Sequence, residues 1–148
     1  MMRRALEYAR RAAADGEVPV GAVVVSDRGE VLAGAGNACI SNHDPTGHAE
    51  MQALREACMR VGNYRLPGAM LYVTLEPCAM CAGAMVHARI SRLVYGTADP
   101  KTGAVHSLMN IGRDSRLNHI FTVTSGVEGM ACAELLQAFF RERRQGQP

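Results

Sequence analysis

The chain has 148 residues, 48% of them hydrophobic and 20% charged, with a formal net charge of +2; that is enough for one compact domain, residues 1–148, with a real core. No apolar run approaches the roughly 20 residues of a membrane-spanning helix. Five cysteines, an odd number, and no secretory leader argue against a disulfide framework and for the reducing cytoplasm.

At the N-terminus Met2, Leu6, Ala9 and Ala13 form the stripe of an amphipathic helix. Glu7 and Asp15 interrupt the charge of Arg3, Arg4, Arg10 and Arg11, and serine is absent, so the segment reads as a first helix and not as a transit peptide. Val20 to Val25 is a predicted strand, Ser26 to Gly29 a turn, and Glu30 to Asn37 the returning strand of a hairpin. A loop with Pro45 and Gly47 leads to a second helical stripe of Met51, Leu54, Cys58 and Val61, closed by Gly62. Ala69 to Glu76 is a long apolar strand ended by Pro77, and a third helix runs from about Cys78 to Ile90. Leu93 to Gly96 is a fourth strand. Residues 98–118 are rich in Gly, Asp, Ser, Lys and Arg and lack a period, and so long an irregular stretch in a compact domain is often functional. Phe121 to Thr124 is a last strand, and Cys132, Leu135, Leu136 and Phe139 mark the apolar face of a closing helix. Gln145 to Pro148 is expected to fray. Strands alternating with helices predict an α/β domain, a central sheet with helices on both faces.

Two short segments carry the chemistry, His48-Ala49-Glu50 and Pro77-Cys78-Ala79-Met80-Cys81. Cys78 and Cys81 are three apart at the start of a predicted helix, so both sulfurs share a face, and the helix N-terminus favours their thiolates. One imidazole and two thiolates are three ligands for a zinc ion, and a set of three leaves the fourth position to water, as in catalytic zinc sites. A C-x-x-C alone also fits a redox pair or half of a structural zinc knuckle. The redox reading leaves the upstream H-x-E unexplained. The structural reading needs a fourth ligand, for which Cys39, Cys58, Cys132, His43 and His87 are the candidates; Cys58 and Cys132 lie on apolar stripes and read more simply as small core residues. Glu50 decides. As an isolated residue it is an ordinary first-turn glutamate, but beside a three-ligand zinc it is placed to take a proton from water and deliver it elsewhere. Zinc lowers the pKa of water from about 16 to about 7. Hydroxide attacking an electrophilic ring carbon, with one carboxylate shuttling protons from water to ring nitrogen to departing amine, is hydrolytic deamination of a heterocycle. H-x-E followed by P-C-x-x-C is the signature of the zinc nucleobase deaminases.

Further stretches narrow the resemblance: Glu17 to Val23 (EVPVGAV), His43-Asp44-Pro45-Thr46 ahead of His48, Asn63-Tyr64-Arg65-Leu66, Leu71 to Ala84 (LYVTLEPCAMCAGA), Lys101 to Ala104 (KTGA) and Phe139-Phe140-Arg141. On these, over nearly its whole length, the chain resembles the bacterial tRNA-specific adenosine deaminases of the cytidine deaminase-like superfamily. The resemblance implies a three-layer α/β/α sandwich around a mixed five-stranded sheet, one Zn²⁺ per subunit, and a homodimer that converts the wobble adenosine of an arginine tRNA anticodon to inosine. It also implies that Asn37 hydrogen-bonds the flipped adenine and that Asp99 faces the ribose and backbone of the target strand, where a carboxylate accepting from a 2′-hydroxyl would favour RNA over DNA. Asn37 as a turn cap and Asp99 as a turn former are the plainer alternatives. Phe140, at the edge of its stripe beside Arg144, is placed to stack on an unpaired base, whereas Phe139 reads as core. Lys101, Arg113, Arg116, Asn118 and His119 are candidate backbone contacts. A net charge of +2 does not by itself point to a nucleic-acid partner, although arginines gather at both ends of the chain. Two rival readings stay open: a deaminase of free guanine or cytosine, and a non-catalytic, zinc-stabilised RNA-binding protein.

Overall fold

The computed structural model describes residues 1–146. In chain order it contains α1 (Met2–Ala14), β1 (Gly21–Val25), β2 (Val31–Gly36), α2 (Ala49–Val61), β3 (Met70–Leu75), α3 (Ala79–Ala88), β4 (Arg92–Thr97), β5 (Thr122–Ser125) and α4 (Gly129–Gln145). The strands form one mixed sheet in the order β2-β1-β3-β4-β5. β1 is antiparallel to β2 and to β3, while β3, β4 and β5 run parallel. Residues 98–121 contain neither helix nor strand, as the composition predicts for 98–118, while Phe121, expected in the last strand, lies just outside β5.

Alternation along β1 builds two cores. Ala22 and Val24 face a cluster with Ala53, Leu54 and Ala57 of α2 and Met85 and Val86 of α3. Val23 and Val25 face the opposite side, against Met2, Ala5 and Leu6 of α1 and Cys132 of α4. A sheet buried on both faces between two helix layers is the predicted α/β/α sandwich. α1 lies close on β1 because Gly21 has no Cβ; one there would overlap the Ala5 carbonyl.

Two helical faces differ from the predicted stripes. α2 turns Ala49, Glu50, Ala53, Leu54 and Ala57 inward, while Val61 is half exposed and Met51 and Cys58 lie on the flank. Its alanines let the helix approach the sheet, so small residues form the contact and larger ones surround it. In α4 only Cys132 is fully buried; Leu135, Leu136 and Phe139 are partly exposed. The first turn of α4 carries the sheet contact, with Gly129 and Cys132 against Gly96, and the four-residue edge strand β5 offers little surface for the rest of a 17-residue helix. Gln145, expected to fray, is the last residue of α4, and 147–148 lie outside the described residues.

The register places the site. Gly21 pairs with Gly36 and Ala22 with Val73. The start of β1, the end of β2 and the end of β3 therefore share one edge of the sheet. The loop after β2 enters α2 there, and the end of β3 enters α3 there, so two helix N-termini meet in the usual ligand crevice of an α/β sheet.

Candidate metal centre

His48 is the N-cap of α2, with extended backbone that starts the helix at Ala49. The loop before it is tied down at several points. Asn37 Oδ1 accepts the Ala49 N–H at 2.8 Å, and Gln52 Nε2 donates to the Gly36 and Gly47 carbonyls at 2.7 and 3.3 Å. Glu17, 2% exposed, accepts from the Ile40 N–H, the Ser41 N–H and the Ser41 hydroxyl. On the other helix Cys78 is the N-cap of α3 and not its first residue, and Cys81 lies one turn on, fully buried.

These elements bring three donor atoms together. His48 Nδ1 lies 3.5 Å from the sulfur of Cys78 and 3.5 Å from that of Cys81. A tetrahedral zinc with bonds of about 2.3 Å to sulfur and 2.0–2.1 Å to nitrogen needs N···S edges of about 3.5–3.6 Å, so the triangle already has the size of the ion. Among the described residues His48, Cys78 and Cys81 are the only such grouping of His, Cys, Asp and Glu side chains. Cys39, Cys58, Cys132, His43 and His87 stay outside it, which removes the fourth ligand that a structural knuckle requires. His106 and His119 are satisfied elsewhere, by the Tyr95 hydroxyl at 2.6 Å and the Ile90 carbonyl at 2.7 Å.

The electrostatics suit a cation. The hydrogen bond from Cys81, helped by His48, holds the Cys78 thiol down at about 4. Cys81 is raised, because it donates that bond and because it is buried. His48 is raised by its bond to Cys78. A metal ion replaces the shared protons and lets both sulfurs stay as thiolates. Glu50, the second residue of α2 and 4% exposed, is pushed up to about 7 by burial. A carboxyl that titrates near neutrality beside such a site is suited to both taking and giving a proton.

The remaining sequence-predicted residues sit around this centre in different ways. Asn37 uses its carbonyl oxygen to cap α2, directly beside the ligand histidine. Asp99 closes a turn: its carboxylate accepts from the Lys101 and Thr102 N–H groups and from the Thr102 hydroxyl. Phe140, 43% exposed, lies in a groove of about 500 Å³ with Lys101, Leu136, Gln137, Arg141 and Arg144. Phe139 is not core; its ring lies edge-on to Phe140 and under the Arg143 guanidinium. Arg116 is paired with Asp114 at 2.6 Å. Sequence reasoning missed the buried carboxylates Glu17 and Glu76. The one signal was an acid in apolar surroundings, in Leu75-Glu76-Pro77 above all. Burial raises the Glu76 carboxyl, but hydrogen bonds from Ser107, His106 and Val105 outweigh it and leave it below its ordinary value.

A three-layer sandwich with an imidazole and two sulfurs at its ligand edge, and a buried carboxyl two residues past the histidine, defines a zinc-dependent deaminase of the cytidine deaminase-like fold. Residues 1–97 match the family described as cytidine and deoxycytidylate deaminase zinc-binding region. A relative from Haemophilus influenzae named tRNA-specific adenosine deaminase is 50% identical over 145 residues, 98% of this chain and 84% of that protein. One of the same name from Bacillus subtilis is 47% identical over 144 residues, covering 97% and 89%. A solved structure from work on A-to-I editing by tRNA:A34 deaminases at the wobble position superimposes with a TM-score of 0.88, at 49% identity, covering 91% of this chain and 97% of that one. The chain belongs to the cytidine and deoxycytidylate deaminase zinc-binding family, and within it to the tRNA-specific adenosine deaminases.

Proposed function

We propose that residues 1–148 act as one domain that hydrolyses the 6-amino group of the wobble adenosine in an arginine tRNA anticodon, giving inosine and ammonia. The observation that carries the reading is the ligand triangle of His48, Cys78 and Cys81, three and not four among the described residues, with Glu50 buried beside it. His48, Cys78 and Cys81 would hold a zinc ion, which would lower the pKa of a water to about 7 and so make its oxygen a nucleophile at neutral pH. Glu50 takes the proton that the water gives up and passes it to the adenine N1, which leaves C6 more electrophilic. As the water oxygen bonds to C6, Glu50 takes the remaining hydroxyl proton and delivers it to the 6-amino nitrogen, so that the C6–N bond breaks, ammonia leaves and the C6 carbonyl of inosine forms.

The surrounding residues hold the substrate. Asn37, whose oxygen is committed to the Ala49 N–H, presents its amide NH₂ to an acceptor on the base. Asp99 uses three acceptor positions in its own turn and keeps one on Oδ2, which accepts a ribose 2′-hydroxyl. Phe140 stacks on an unpaired base, with Lys101, Arg141 and Arg144 facing phosphates. Exposed Leu108, Met109 and Ile120 on the 98–121 segment support a homodimer that covers them. The free cysteines and the absence of any helix long and apolar enough to cross a membrane, among the described residues, accord with the cytoplasm.

The direct test is incubation of the zinc-loaded protein with an arginine tRNA anticodon stem-loop, read by sequencing for inosine, with free guanine and free cytosine in parallel. Inosine in the RNA and no turnover of the free bases is the expected result. Turnover of a free base alone would replace this reading with the free-base deaminase.

A further inference from the structure

The mechanism above leaves one buried acid unused. Glu76 follows the last residue of β3 and stands two residues before Cys78. It is 2% exposed, and no cation pairs with it among the described residues. Its backbone N–H is bonded to the Thr97 carbonyl at the end of β4. Its side chain reaches instead into the 98–121 segment. Oε2 accepts the N–H groups of Val105, His106 and Ser107 at 3.4, 3.3 and 3.1 Å, and Oε1 accepts the Ser107 hydroxyl at 2.7 Å. The same stretch is tied again by the Ala104 N–H just before it, to the Pro77 carbonyl at 2.8 Å, and within it by His106 to the Tyr95 hydroxyl. A Cβ on Gly103 would overlap Glu76 Oε2, so the segment closes on the carboxylate only with glycine there.

Three N–H groups converging on one oxygen make a nest for a negative charge. Here the charge is supplied by the strand that leads into the metal ligands. The anchored segment is the one that carries Asp99 and Lys101, and the Glu76 carboxylate makes four of the bonds that hold it near Cys78. We propose that Glu76 is a positioning residue for RNA: its carboxylate fixes the 98–121 wall against the metal-ligand segment, and so governs how tightly the anticodon loop is held in register with the centre. This rests on the reading of the site as an RNA deaminase. The wall and the reacting groups are on different segments, since His48 and Glu50 stand at the start of α2 and the sulfurs at the start of α3. Loosening the wall therefore acts on substrate placement and leaves the proton carrier where it is.

The test compares Glu76→Gln, Gly103→Ala and Ser107→Ala with the parent protein. Glutamine puts an NH₂ or a neutral oxygen where three donors converge; alanine at 103 drives a methyl group against Oε2, and against the Asp99 carbonyl, with the charge kept; alanine at 107 removes one donor of four. Each is measured for zinc content, for amide hydrogen exchange, and for kcat and KM on the stem-loop. Expected for Glu76→Gln and Gly103→Ala are unchanged zinc, exchange at 105–107 faster by about tenfold or more with α2 and α3 unaffected, and KM raised about tenfold with kcat within about threefold. Ser107→Ala moves the same way by a smaller factor and keeps the test alive if Glu76→Gln does not fold. Unchanged exchange and KM in the folded variants would overturn the proposal, and so would loss of zinc or a fall in kcat at constant KM. If the parent protein forms no inosine, the reading of the reaction falls instead, and the exchange data still report whether the carboxylate holds the wall.

Discussion

Glu50 and Cys81 separate chemistry from assembly at the scale of single side chains. Both are buried at helix starts, yet only the sulfur belongs to the ligand triangle. Glu50→Ala should keep zinc and fold and lose at least about two orders of magnitude in deamination rate; a silent substitution would favour the zinc-stabilised RNA-binding protein. Cys81→Ala should lose the metal itself, read as zinc per chain, and full retention would show a different ligand set. Glu17 gives a third expectation. Burial raises its carboxyl, but the Ser41 and Ile40 N–H groups and the Ser41 hydroxyl outweigh that and hold it below its ordinary value. A lowered folded-state pKa contributes stability that is complete above the unfolded value of about 4.3 and fades as pH falls through the folded one. Glu17→Gln should therefore cost about 2 kcal/mol at neutral pH, and the gap in urea midpoints should close as the medium is acidified below about pH 4. A gap independent of pH would mean that the charge is not what holds Ile40 and Ser41.

At the scale of elements, α4 departs most from its sequence pattern. Its periodic apolar residues promise a core helix, yet beyond Cys132 and Leu135 the helix turns half-exposed rings and three arginines, Arg141, Arg143 and Arg144, away from the sheet. The groove it forms with Lys101 joins α4 to the 98–121 segment that Glu76 anchors. Phe140→Ala should raise KM for the stem-loop about tenfold, the lower part of the 1–3 kcal/mol range for base stacking, with kcat unchanged. Arg144→Ala should lower the salt dependence of binding by about one counterion. Titrations of the stem-loop at several salt concentrations separate the two, because losing the ring weakens binding at every concentration alike.

At the scale of the whole molecule, the metal ties together two helices that reach the same sheet edge from different strands, α2 after β2 and α3 after β3. Removing it should lower Tm by roughly 10 °C, as expected for a ligand present at about a thousand times its Kd in a domain of this size. Calorimetry of chelated and zinc-restored protein checks this, and an unchanged Tm would place the ion outside the fold. The sequence by itself determined the alternation of elements and the three ligands, and it marked Glu50 as the candidate proton carrier, because each is a local signal: periodicity within a helix, two cysteines one turn apart at a helix start, an acid two residues past a histidine. Only the tertiary structure decided that, among the described residues, no fourth ligand completes the triangle, that Asn37 caps the helix behind His48, and that Glu17 and Glu76 hold the two loops around the centre. Those acids meet their partners 24 and 31 residues away in the chain. Contacts of that range follow from sheet register and strand order, which no spacing within one element encodes.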